Sequence, residues 1–132
     1  MRKYLIVSLC FLFVMSLFCC GDSGTNSRQI ISYFRGTVYV GGTPTPNVRV
    51  KIELRDSSKY IGGLTWDVSK EVTTESDGTF ELKYVENISE PHGWTWRAQA
   101  KHPTTGDWSN WVYGGTVTEG ESGAGTLVIS LD

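Results

Sequence analysis

The chain has 132 residues, a formal charge of -2, 39% hydrophobic and 12% aromatic residues. That length fits one domain plus an appendage, and the apolar content excludes disorder over most of it. The acidic balance excludes a basic nucleic-acid-binding protein as the default, so no nucleic-acid partner is expected. All three cysteines, Cys10, Cys19 and Cys20, lie at the N-terminal end, which leaves no disulfide framework and no thiolate metal cluster downstream.

Met1 to Lys3 is a short basic start, and Tyr4 to Cys20 runs YLIVSLCFLFVMSLFCC without a charge. A membrane-spanning helix needs about 20 apolar residues and a signal segment fewer. The residues that close the run therefore decide its meaning. Leu17-Phe18-Cys19-Cys20, followed by Gly21-Asp22 and the polar Ser23-Gly24-Thr25-Asn26-Ser27, resembles a bacterial lipoprotein signal. Leu17 matches the aliphatic position, Cys19 the small residue and Cys20 the acceptor thiol. The resemblance implies a signal peptide over 1–19, lipidation of Cys20, and attachment to a membrane of the bacterial cell envelope. An uncleaved anchor helix and a plain secretory signal are the alternatives. Each buried methylene contributes about 0.8 kcal/mol, so several acyl chains hold where one binds reversibly. Residues 20–29 then form the lipidated cysteine and a flexible polar tether, and 30–132 the folded domain. Loss of Arg2 and Lys3 leaves 10 basic residues against 14 acidic ones, a net of -4.

From Ile30 onward, short alternating runs are separated by glycine, proline and acidic turns. Phe34 to Val40 predicts a strand, and the Gly41 to Asn47 stretch predicts a turn into an antiparallel neighbour at Val48 to Leu54. There Val48, Val50, Ile52 and Leu54 share one face, with Arg49, Lys51 and Glu53 on the other. Glu71 to Thr74 and Thr79 to Tyr84 flank Asp77-Gly78, a strong hairpin signal. Trp94 to His102 alternates again, with Trp94, Trp96, Ala98 and Ala100 inward and Thr95, Arg97, Gln99 and Lys101 outward. Trp111 to Thr118 and Thr126 to Leu131 complete seven strands. No helical period persists. The expected class is all-β, a β-sandwich.

Arg35-Gly36-Thr37-Val38, Gly42-Thr43-Pro44, Val48-Arg49-Val50-Lys51-Ile52 and Thr74-Glu75-Ser76-Asp77-Gly78-Thr79-Phe80 look like the carboxypeptidase regulatory-like domains of the prealbumin-like (transthyretin-like) group. The resemblance implies a seven-stranded Greek-key sandwich. It carries architecture rather than activity, because the matching residues are turn and strand chemistry.

Candidate chemistry is sparse. Hydrolases of the wider transthyretin-like group end in a Tyr-Arg-Gly-Ser segment, whereas this chain ends Ile129-Ser130-Leu131-Asp132. His92 and His102 stand at opposite ends of one predicted strand, roughly 30 Å apart if extended. No nucleophile elbow, phosphate loop or metal motif occurs. No catalytic residue, metal or cofactor is expected. The five tryptophans are the informative residues. Trp94, Trp96 and Trp111 are expected in the core. Trp66 and Trp108 sit in loop-like surroundings, and Tyr60 lies near a loop. They either cover the open end of the sandwich or form a platform for sugar rings. The expected function is a membrane-anchored, non-enzymatic structural or protein-interaction module. A carbohydrate-binding lipoprotein using Trp66, Trp108 and Tyr60 is the alternative, so the partners considered are an envelope protein and a glycan.

Overall fold

A computed structural model describes residues 27–57, 65–90, 92–118 and 127–132. The signal segment, Cys20, most of the tether and Tyr60 lie outside the described residues. The strands are β1 (Arg28–Val40), β2 (Thr43–Pro44), β3 (Arg49–Asp56), β4 (Val68–Thr73), β5 (Thr79–Ile88), β6 (Trp94–Ala100), β7 (Val112–Val117) and β8 (Leu127–Leu131). Each predicted run overlaps one of them, with β1, β3, β4 and β5 extending beyond their predicted bounds, and the two-residue β2 is an addition. β1 starts at Arg28, two residues ahead of the expected domain start.

The strands form two four-stranded sheets. In the first, β1 pairs with β5 antiparallel from Arg28↔Ile88 to Thr37↔Thr79 and with β8 in parallel from Gly36↔Leu127 to Val40↔Leu131. Gly41 and Gly42 both have positive φ, 55° and 79°, and turn β1 directly into β2. Glycine adopts that pair of angles without strain, and its twist suits a two-residue hairpin. The second sheet runs β4-β3-β6-β7, all antiparallel.

Two expected pairings are corrected. β3 is not a neighbour of β1, and the runs flanking Asp77-Gly78 do not form a hairpin. In both places the chain crosses from one sheet to the other. Gly78, at φ 79°, donates its N–H to the Glu75 carbonyl, as a hairpin turn would. β4 nevertheless pairs with β3 and β5 with β1. The turn reverses the chain between layers, because each flanking run finds a longer partner in its own sheet. The buried Thr74 joins the two crossings: its hydroxyl accepts the Val48 N–H at 2.9 Å and donates to the Thr45 carbonyl at 2.7 Å.

The inward residues of both sheets meet in one core. Phe34 and Val38 face Val50, Ile52 and Leu54, with Trp96 and Ala98 beside them, all fully buried. Each large apolar side chain so buried contributes about 1.5–3 kcal/mol. Trp96 meets Phe34 edge-on at 5.3 Å, and Trp94 meets Tyr84 at 5.4 Å. The expectation for Trp94 and Trp96 holds. Burial, then the charge of Glu86, pushes the Tyr84 phenol above its ordinary pKa. Room for Trp96 comes from a bulge: the β6–β7 register shifts between Thr95 and Arg97, where Gly114-Gly115 lies opposite the indole. A Cβ on Gly114 would overlap that ring.

Candidate ligand-binding face

Alternation along β3 and β6 directs Arg49, Lys51, Glu53, Arg55, Arg97 and Lys101 to the outer face of the second sheet. The register sets Glu53 opposite Arg97 and Lys51 opposite Gln99. Tyr113 pairs with Arg97 on β7, and Trp108 bridges to Lys101 just beyond β6. Residues opposite one another in an antiparallel pair share a face, so Tyr113 and Trp108 also lie outward. Trp111, two residues before Tyr113, follows the same alternation.

Arg97 organises one half of this face. Its Nε and Nη2 donate to Glu53 Oε2 at 2.8 and 2.6 Å, and Nη1 donates to the Tyr113 hydroxyl at 3.4 Å. Its guanidinium carbon lies 4.3 Å from the Trp66 ring centre and 4.0 Å from that of Trp111. Arg55 approaches Trp66 at 4.9 Å. Burial pulls the Arg97 pKa down, but its bonds to Glu53 and Tyr113 outweigh that and hold it above the usual range. The expectation that Trp111 fills the core is therefore corrected. It is half-buried over Arg97, because Val112 takes the inward position opposite Ala98.

Trp108 organises the other half. The Lys51 and Lys101 ammonium nitrogens lie 4.8 and 5.9 Å from its ring centre, and the Arg49 guanidinium carbon 6.0 Å. Arg49 pairs with Glu71. That hydrogen bond chiefly holds the Glu71 carboxyl below its ordinary pKa; desolvation opposes it, and the charges of Arg49, Lys51 and Lys101 add to it. Gln99 is directed outward yet only 9% exposed, so the aromatic residues form a partial third layer over the sheet. Trp66 and Trp108 thus lie on one sheet face rather than over the end of the sandwich. The loop tryptophans were legible in the sequence. Their convergence with Trp111, Tyr113 and Arg97 depends on a cross-strand register that no single run displays.

Two clefts border the Trp108 segment and meet at His102. One, of about 490 Å³, is lined by Thr105, Asp107, Trp108, Asn110, Ser130 and Asp132 among others. The other, of about 260 Å³, is lined by Asn47, Arg49, Lys101, His102, Pro103 and Gly106. His102 Nδ1 accepts the backbone N–H groups of Thr104 and Thr105 at 3.1 and 3.2 Å, which leaves the ring proton on Nε2 as a donor. His92 lies beyond the other end of β6, 3.2 Å from Glu86 and edge-on to Trp94. Among the described residues no group of three His, Cys, Asp or Glu converges as metal ligands.

Fold and face together define an all-β, two-sheet domain with an aromatic and cationic layer on one outer surface. Compared with family models, with curated proteins and with solved structures, the chain matches none.

Proposed function

We propose that this chain is a membrane-anchored, non-enzymatic lipoprotein of the bacterial cell envelope whose sandwich acts as an interaction module. We propose further that the sandwich has the seven-stranded Greek-key arrangement of the prealbumin-like, carboxypeptidase regulatory-like group; the motifs from Arg35 to Phe80 support that reading. One observation carries the functional proposal. A single sheet face gathers Trp66, Trp108, Trp111 and Tyr113 among five cations, and Trp, Tyr and Arg are the residues that dominate binding hot spots. Tyr113 is 63% exposed at its edge. A photo-crosslinking residue at position 113, tested in cells, is expected to capture a discrete envelope protein, with the adduct lost in Arg97→Glu. Absence of any Arg97-dependent adduct overturns the protein-interaction reading.

A second reading, carbohydrate binding, is favoured by the clefts beside Trp108, where hydroxyl, amide and carboxylate groups adjoin an indole. Titration of tryptophan fluorescence with a glycan panel is expected to saturate for at least one member and to weaken in Trp66→Ala and Trp108→Ala. Flat titrations overturn it. For the anchor, cells fed a palmitate analogue are expected to label the protein, and Cys20→Ala to abolish the label. Undiminished label in Cys20→Ala overturns the address.

A further inference from the structure

We infer that the Trp108 half of the face binds an acidic polysaccharide, a chain of hydroxylated rings carrying carboxylate or sulfate groups. This rests on the carbohydrate reading above and narrows its ligand. Among the described residues that β3, β4 and β6 direct to this face, Arg49, Lys51, Arg55, Arg97 and Lys101 stand with Glu53 and Glu71, on a chain whose net charge is -2, and Asp107 borders it beside Trp108. Arg97 and Arg49 are paired with the Glu53 and Glu71 carboxylates. Lys51 and Lys101 make no ion pair among the described residues and converge instead on the Trp108 ring. Two ammonium groups outside direct ion-pair reach of a carboxylate among the described residues, though both act on Glu71 through space, stand beside one indole and match a ligand that is both negatively charged and flat-faced. Lysine ammoniums act as mobile point charges rather than fixed forks, which suits anions spaced along a flexible polymer.

The flanking clefts favour a saccharide over an acidic peptide by their hydrogen-bonding character. Asp107 and Asp132 line the larger cleft, and carboxylates there accept hydrogen bonds without donating any. An ionised Asp or Glu side chain brings no donor to them, so an acidic peptide would answer chiefly through its backbone N–H groups. A sugar ring brings hydroxyl donors to Asp107, while its carboxylate or sulfate faces Arg49, Lys101 and the His102 Nε2–H across the smaller cleft.

The test is a fluorescence and calorimetric titration of the full chain at low salt with polygalacturonate and heparin. Dextran and fully methyl-esterified pectin serve as neutral counterparts, and polyglutamate as a polyanion without sugar. Polygalacturonate or heparin is expected to bind at least tenfold tighter than the neutral polymers and to weaken steeply with added salt. Lys51→Gln combined with Lys101→Gln is expected to remove most of that preference, with circular dichroism and Tm unchanged to certify the fold. Equal binding of neutral and acidic glycans overturns the charge inference while leaving the carbohydrate reading intact. Equal binding of polyglutamate overturns it in favour of an acidic protein. No binding by any glycan overturns both readings. Acidic-glycan binding untouched by the double substitution overturns the assignment to Trp108.

Discussion

Gly114 has no space for a side chain, since a Cβ there would overlap the Trp96 indole. Trp96 is fully buried, and its Nε1 has no hydrogen-bond partner among the described residues, so the indole serves by volume rather than by its donor. Gly114→Ala is therefore expected to destabilise the domain by about 1–3 kcal/mol, as overpacked cores do. Adding Trp96→Phe to Gly114→Ala is expected to recover part of that loss, because the two residues are in contact and couple; urea midpoints of the four forms check it. Asp77 offers a second test. Its carboxyl accepts the Thr79 hydroxyl at 2.6 Å and the Thr79 N–H at 3.0 Å, and these bonds, the hydroxyl foremost, hold its pKa below the ordinary value. A depressed carboxylate stabilises the fold above its unfolded pKa, and that contribution is lost as pH falls through the folded one. Thr79→Val is expected to raise the Asp77 pKa toward its ordinary value, read by NMR titration of that carboxyl.

At the scale of elements, the two crossings between sheets share one joint. The Thr74 hydroxyl bonds to both Val48 and Thr45, so it ties the β2–β3 passage to the β4–β5 turn. Thr74→Val keeps the shape but leaves a buried N–H and a carbonyl without partners, which is expected to cost about 1–3 kcal/mol per orphaned group. Thermal unfolding checks this, and Thr74→Ser, which restores the hydroxyl, is expected to lose less. On the outer face, Arg97 and Glu53 are each less than one-fifth exposed. Truncating Arg97 strands a partly desolvated carboxylate and unstacks Trp66 and Trp111. Arg97→Ala is expected to destabilise by about 1–3 kcal/mol and to red-shift tryptophan emission. The pairing of strands was the least legible level in the sequence. Asp77-Gly78 announces a chain reversal, but a reversal within a sheet and one between sheets use the same local bonds.

For the whole molecule, β1 is the strand on which the first sheet is built. It pairs with β2, β5 and β8 and buries Ile30, Phe34 and Val38. A fragment spanning 27–132 is expected to unfold cooperatively with a β-type circular dichroism spectrum. A fragment spanning 36–132 loses Ile30, Phe34 and most of the β5 partner edge, and is expected not to fold. The charge distribution belongs to this scale as well. A chain of net charge -2 gathers, among the described residues, more cations than anions on the strands of one sheet face, which composition averages away.

The sequence by itself determined the all-β class, most strand positions and the inward faces. Val48, Val50, Ile52 and Leu54 alternate with charges because a strand has period two and one side is dry. It also displayed the turn residues and the absence of familiar catalytic motifs. Tertiary structure alone decided which strand joins which sheet, because pairing is chosen among distant partners by burial and register rather than by the connecting turn. The same long-range choice moved Trp111 from core to surface and brought Trp66, Trp108 and Arg97 onto one face. Their contacts cross from strand to strand, so they exist only after the register is set.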